Sequence, residues 1–508
     1  MASGNQFFDT LNDVASTYGS KVYVREVKGR TVTFEEFRDH VFLTAGSLSR
    51  EGVETGSRVG IMMRNSIEFM VSWYACQVLG ALAVPLNPEL VGESLEYLLS
   101  HSETTVVVCA AEFAGRLSAS TDCRLIVLDK PEGNELSLAK YYGEPLTVPT
   151  PIAPETPCQI LYTSGTTGRP KGVLQSAGML ANVAALGRRV GLTSDDVLFL
   201  YTPLFHGLAQ GWMQYGLGLG SEIVLRERFS PSAFWDDVHQ FSCTAMQHVG
   251  AILTLLVQQP PRPDDRTNTM RITHGVGAPP ALWKEFSERF DVDVSEFFGM
   301  TEVGLIAFND IPGRVGSMGK LSGLFEVKLL DSELQPVGVN QRGEVWVKPT
   351  DPTNEVPKYF RLEGSGVEFV DGFFRTGDLI RMDADGFCFY EGRVKESLRR
   401  RGENIVPDDI ERAVLLHDAV HDVAASAVPS DLGEDDVKIS IVLEEGAEVE
   451  PQDLLDFLQD KVPSFMVPRY VIVLKELPYT PTHKLQRNSL RGLTPGTWDG
   501  ETKTWYMG

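Results

Sequence analysis

Cysteine is scarce and scattered. Six cysteines, at positions 76, 109, 123, 158, 243 and 388 of 508 residues, include no Cys-x-x-Cys pair, which excludes a zinc ribbon and a dense disulfide framework. Positive charge is also short: 46 Lys and Arg stand against 69 Asp and Glu, a formal charge of −23. Generic nucleic-acid binding, which needs clustered cations to neutralise phosphate, is not expected. No basic stretch followed by an apolar run opens "MASGNQFFDTLNDVAS", so no secretory signal is read and a reducing cytoplasm is the expected setting. Two uncharged stretches, Phe69 to Pro88 and Val197 to Ser221, are the nearest approach to membrane spans. Prolines, glutamines and repeated glycines interrupt them, so they read as buried helix–turn–strand units and no membrane span is expected.

What is present in quantity is apolar sequence in short runs. "SRVGIMM", "ALAVPLN", "TTVVVCA", "CRLIVLD", "DVLFLYT", "SEIVLRE" and "CTAMQHV" alternate with amphipathic helical patterns, the signature of helix-covered, mostly parallel sheets in an α/β fold. After about residue 320 short strands with Gly-containing turns predict antiparallel hairpins or a small β-barrel-like part. The last hundred-odd residues, with "PDDIERAVLLHDAV", "KISIVLEEG" and "PQDLLDFLQDKV", predict a small α+β unit. At this length more than one core is required.

The chemistry-bearing stretches lie on the connections. "YTSGTTGRPKGV" (162–173) crowds glycines, hydroxyls and a lysine into one loop, the inventory for surrounding phosphate oxygens. It is not a Walker loop, because Pro170 precedes Lys171 and Gly172 follows it. "EFFGMTE" (296–302) puts an aromatic ring, a glycine, a threonine and Glu302 at the expected carboxyl end of a strand, where open α/β sheets bind ligands; Glu302 there could hold Mg²⁺ beside phosphates. "FRTGDL" (374–379) sets Asp378 behind a tight turn, suited to two ribose hydroxyls. "GRVKESLRRRGENIVPDDIE" (392–411) joins a basic cluster to a Gly-Glu-Asn turn, and "LPYTPTHKLQR" (477–487) carries Lys484 in a proline-rich loop.

In this order and at these intervals, the five stretches resemble the adenylate-forming superfamily of acyl- and aryl-CoA synthetases, nonribosomal-peptide adenylation domains and beetle luciferases. The likeness runs from "SRVGIMMRNSIEFM" and "LGALAVPLNP" to "MVPRYVIVLKELPYTPTHKLQR", and is nearest in look to bacterial carnitine/crotonobetaine-CoA-ligase-like members. It implies an AMP-forming acid–thiol ligase: a carboxylate attacks ATP to give acyl-adenylate and pyrophosphate, and a thiol then displaces AMP. It also implies a large adenylating domain over 1–394 and a mobile C-terminal domain over 395–508. By the same resemblance Thr163, Ser164, Gly165, Thr166, Thr167, Gly168 and Lys171 cradle the β- and γ-phosphates. Thr301 and Glu302 organise the α-phosphate and Mg²⁺; Phe298, next to Gly299, sandwiches adenine with Gly277, Ala278 and Pro279; Asp378 and Arg393 hold the ribose. Tyrosine is usual in the family where Phe298 stands, so stacking survives without the phenol.

Lys484 matches the lysine that bridges carboxylate and α-phosphate, although His483 stands before it where the family has glycine. Lys395 matches the hinge, Gly402 lies in the turn that approaches the thiol acceptor, and His206 matches the residue closing the carboxylate pocket. The acyl pocket is expected near His206, Gln247, His248, Val249 and Gly250, Gly275 to Ala278, Phe308 and Asn309. No acidic residue is among these, which disfavours an α-amino acid, and Gln247 and His248 are candidates to bond a ring substituent. Arg399, Arg400 and Arg401 are candidate partners for CoA phosphates. The implied cofactors are ATP, Mg²⁺ and CoA, and the implied substrate is a small acyl or aryl acid. An acyl carrier protein or another nucleophile as acceptor, a homodimer and a degenerate nucleotide-binding member stay open.

Overall fold

The structure, a computed structural model, describes residues 3–128, 138, 143–163, 170–309, 312–351, 359–361, 369–394, 398–400, 403–430, 435–459, 461–479 and 485–507. Two compact units result: Met1–Glu326 with Lys348–Val367, and Val327–Val347 with Glu368–Gly508.

The first unit is built on two sheets. One runs in the order Lys320–Leu321, Gly304–Phe308, Asp293–Met300, Ile272–Val276, Ala245–Val249, Val197–Leu200, Glu222–Leu225, Val22–Glu26, Thr31–Thr33. Its six central strands, from Asp293–Met300 to Val22–Glu26, are mutually parallel. The other runs Arg124–Leu128, Val106–Ala110, Arg58–Met62, Leu82–Pro85, Pro157–Thr163, Lys171–Ser176, parallel except for its last pair. A shared core joins the facing sides of the two sheets through helices, including Phe34–Arg50, Ile67–Leu79 and Gly207–Leu219. The outer faces are covered by Gly92–His101 and Ala111–Ser120 on the second sheet, and by Phe234–Phe241, Gly250–Val257 and Pro280–Phe290 on the first. The parallel runs expected from the sequence all form strands here, because sheets covered on both faces select continuous apolar strands.

The uncharged stretches are accommodated in the same way. Ile67–Leu79 is buried along its whole length, as a helix between two sheets must be. Ser66 caps its start by accepting from the Phe69 N–H, and Gly80 stops it at φ +69°, after which the chain turns into Leu82–Pro85. Among the described residues no helix is long and apolar enough to cross a membrane.

The second unit holds the expected hairpins as a five-stranded sheet, with antiparallel pairings of Arg342–Pro349, Phe369–Val370, Phe373–Met382 and Cys388–Arg393. The C-terminal part is a sheet of Val420–Pro429, Asp435–Leu443, Tyr470–Val473, Thr497–Asp499 and Thr504–Tyr506. Helices Pro407–Val414 and Pro451–Gln459 bury Ile410, Val414, Leu454 and Leu458 against Val437, Ile439 and Ile441.

Candidate active site

Parallel strands deliver their carboxyl ends to one edge of the first sheet. Val197–Leu200 leads to the His206 turn, Ala245–Val249 to Gly250, Ile272–Val276 to Gly277–Pro279, and Asp293–Met300 to Thr301 and Glu302. Strand termini of this kind are where open α/β sheets bind ligands.

His206 opens the Gly207–Leu219 helix without capping it. Asn65, itself buried, clamps the preceding turn: its Oδ1 accepts from the Leu204 N–H at 2.8 Å and its Nδ2 donates to the Thr202 carbonyl at 2.9 Å. Burial pushes the His206 imidazole down to about 4, so it is neutral at pH 7, and its Nε2 has no partner among the described residues. Gly277 takes φ +81°, a conformation open to glycine. The Ala278 N–H after it donates to Glu296 Oε1, which ties this loop to the strand that carries Phe298 two residues on. Phe298 is 6% exposed and Gly299 follows it in the strand.

The hydroxyl-rich loop hangs from the other sheet, with Thr163 and Lys171 as direct partners across its base. The Gly92–His101 helix holds both shoulders: His101 Nδ1 lies 2.8 Å from the Tyr162 hydroxyl, and Tyr97 donates to the Pro170 carbonyl at 3.1 Å. Tyr359 then joins the two sheets' loops. Its hydroxyl donates to Glu302 Oε1 at 2.7 Å, and the Lys171 ammonium stands 5.1 Å from its ring centroid. Backbone bonds fix it in place, since it bridges to Val173 and the Phe360 N–H donates to the Gly172 carbonyl at 2.8 Å.

In the second unit Asp378, 3% exposed, faces Arg393 across neighbouring strands. Arg393 Nε donates to Oδ1 at 2.6 Å and Nη2 to Oδ2 at 3.3 Å, a bidentate pair. Gly392 takes φ +107°, and a Cβ there would meet Val406 Cγ1 at 2.3 Å. Ser164, Gly165, Thr166, Thr167, Gly168, Lys395, Gly402 and Lys484, with Arg401 and His483, lie outside the described residues.

Two expectations are corrected. Gln247 and His248 are consecutive on one strand, so their side chains leave opposite faces and do not share a pocket. Gln247 pairs in register with His274 on the face whose Ala245 and Ile272 pack with the Gly207–Leu219 helix. His248 lies on the other face, bonded to the Thr273 hydroxyl at 2.7 Å and 3.7 Å from Glu296. Arg400 is not a free phosphate ligand either: it is 7% exposed, 3.1 Å from Asp436 Oδ1, and donates to the Val467 carbonyl at 2.6 Å. Alternation along its short strand turns it inward.

Tyr359, Glu296, His274 and a set of buried glutamines are not singled out by the sequence. Tyr359 stands in "PKYFRLEG", where nothing local signals a role. His274 lies inside the apolar strand "ITHGV", and it joins the site only through strand pairing, which sets it opposite Gln247.

These features define an enzyme of the α/β class, with Lys171 and the Glu302 carboxylate brought to one tyrosine beside the strand termini. The chain belongs to the AMP-binding enzyme family, whose model matches residues 11–352, and the AMP-binding enzyme C-terminal domain matches residues 409–484. Among curated relatives, a crotonobetaine/carnitine–CoA ligase of Salmonella agona is 25% identical, with 97% of this chain and 100% of the relative covered. One of Escherichia coli O9:H4 is 26% identical over 96% and 99%. Among solved structures, ATP-bound MatB of Rhodopseudomonas palustris matches with TM-score 0.88 and 26% identity, covering 96% of this chain and 98% of that one. The o-succinylbenzoate-CoA synthetase of Bacillus subtilis, in complex with its acyl-adenylate intermediate, matches with TM-score 0.83 and 26% identity over 96% and 98%.

Proposed function

We propose that the protein activates a small carboxylic acid with ATP, releasing pyrophosphate, and transfers the acyl group from the adenylate to the thiol of CoA. The observation that carries this reading is Tyr359, which holds the Glu302 carboxylate and the Lys171 ammonium at one side chain. In the first step the acid's carboxylate oxygen forms a bond to the α-phosphorus and the bond from that phosphorus to the pyrophosphate oxygen breaks. Lys171 and the loop that begins at Thr163 neutralise the charge developing on the leaving pyrophosphate. Phe298 stacks on adenine with the Gly277–Pro279 loop, whose position Glu296 sets. Asp378 accepts from the ribose hydroxyls, with Arg393 orienting it. Lys484 bridges the attacking carboxylate and the α-phosphate.

Glu302 suits Mg²⁺: it is half-buried and held by a neutral phenol, which leaves its negative charge to attract a cation. Mg²⁺ is commonly held by one or two carboxylates together with substrate phosphates, so a single protein carboxylate at this edge meets the need. When bound, the cation supplies charge neutralisation at the phosphates.

The acid's organic group lies on the side of Gln247 and His274, near His206. Gln247 Oε1 and His274 Nε2 are buried without partners among the described residues, which fits an uncharged substituent able to hydrogen-bond; a neutral His206 gates this site without tethering the carboxylate as an ion pair. Thioester formation follows a swing about Lys395, with 1–394 and 395–508 as the moving bodies, and the thiol sulfur displaces AMP from the acyl carbon. A carrier-protein thiol is the alternative acceptor. All six cysteines are free, which fits a reducing cytoplasm. ATP–pyrophosphate exchange across aliphatic, aromatic and amino acids, followed by mass spectrometry with CoA, tests the reading. Exchange driven by an acid and a CoA thioester product support it; no exchange with any acid, or thioester formed only on a carrier protein, refutes the corresponding half.

A further inference from the structure

Three glutamines sit in the apolar layer between the two sheets, at positions where aliphatic side chains would pack without a polar cost. Gln159, Gln175 and Gln210 are 0%, 4% and 1% exposed. Their orientations follow from one neighbour. The Trp73 indole N–H can only donate, and it donates to Gln159 Oε1. The Gln159 amide nitrogen therefore points the other way, and donates to Gln175 Oε1 and to Gln210 Oε1, each at 2.8 Å. With both acceptor oxygens thus occupied, the remaining amide nitrogens are aimed at backbone. Gln175 Nε2 donates to the Thr301 carbonyl at 2.9 Å, and Gln210 Nε2 donates to the Leu204 carbonyl at 3.0 Å. The Gln210 N–H also donates to the His206 carbonyl at 3.2 Å.

We infer that Gln159 is a positioning residue for adenylation, the junction through which the phosphate-loop hairpin sets both the Thr301–Glu302 turn and the Leu204–His206 turn. The inference rests on the adenylation reading above. The two turns follow strands separated by two others in the first sheet, so that sheet alone leaves them independent. Gln159 and Gln175 are partners across the hairpin whose base is Thr163 and Lys171. One branched set of amides thus ties the metal-side carboxylate, the acid-side histidine and the phosphate loop to a common frame. Removing the junction leaves two buried amide oxygens without donors, and each arm is then free to rotate away from its carbonyl.

The arms give the test its specificity. Gln175→Leu frees the Thr301 turn and is expected to raise the KM for MgATP about tenfold in pyrophosphate exchange, with the KM for the acid within about twofold. Gln210→Leu is expected to do the reverse. Gln159→Leu is expected to raise both, and Gln159→Leu/Gln210→Leu to show the acid KM of Gln159→Leu alone, because the second change removes a contact already lost. A change that only lowers the active fraction, with both KM values unmoved, overturns the inference, as does a split in which the arms are exchanged. Should Gln159→Leu fail to fold, the two single-arm variants decide the outcome by the same criterion. Absence of exchange in the wild-type protein overturns the adenylation reading and this inference with it; exchange without the split overturns this inference alone.

Discussion

Replacing Tyr359 by phenylalanine removes one oxygen and leaves the ring. The lost bond, 2.7 Å to Glu302 Oε1, has a charged acceptor, a class worth about 1.5–3 kcal/mol. Water can reach the half-buried carboxylate and replace part of it, so a loss of about 1–2 kcal/mol is expected. At about 1.4 kcal/mol per tenfold, kcat/KM for MgATP in pyrophosphate exchange should fall roughly 5- to 30-fold. The ring that carries Lys171 is retained, and with it a cation–π contact of about 0.5–1 kcal/mol. Tyr359→Ala should therefore lose several-fold more than Tyr359→Phe. The assay is exchange at a fixed acid concentration with MgATP and free Mg²⁺ varied separately. Because the phenol orients the carboxylate, the Phe variant should need more Mg²⁺ for half-maximal rate. Unchanged rate and unchanged Mg²⁺ dependence in Tyr359→Phe would refute a positioning role for this hydroxyl.

Lys484→Ala should suppress adenylate formation by orders of magnitude while leaving thioester formation from supplied acyl-adenylate nearly intact; equal loss in both half-reactions argues against its assignment. Lys395→Pro restricts φ at the pivot and should slow thioester formation more than adenylation, measured by the same two assays. Burial holds His274 down to about 3, below its ordinary 6.5, so the unfolded chain binds its proton first and stability falls as pH drops below 6.5. Between pH 7 and 5 this one residue should cost about 2 kcal/mol, and His274→Phe should flatten that part of the urea-midpoint profile. Asp378→Ala removes the bidentate carboxylate partner of the half-buried Arg393 guanidinium and should both raise the KM for ATP and lower the thermal midpoint; a normal ATP KM would separate the ion pair from ribose binding.

The strands were legible in the sequence, and so were the loops to which chemistry is assigned here as a proposal, because both depend on local chemistry. Continuous apolar runs such as "ALAVPLN" can only be strands or helices buried on every side, and glycines before Asp378 and in "GVGAPP" mark turns at their ends. Relations between loops were not legible in this way. Tyr359 lies 57 residues from Glu302, and Gln159 lies 51 residues from Gln210, with nothing in the intervening sequence to pair them. Their meeting depends on how two sheets pack across a layer of helices, and on backbone bonds that seat Tyr359 beside Val173. The direction of single side chains was decided there too. Strand alternation sends His248 away from Gln247, and burial against Asp436 turns Arg400 from a phosphate candidate into part of the core. Residue type and spacing set the chemistry proposed for the loops; packing decided which side chains meet, since a hydrogen bond needs its two partners within about 3 Å and only the folded chain sets that distance.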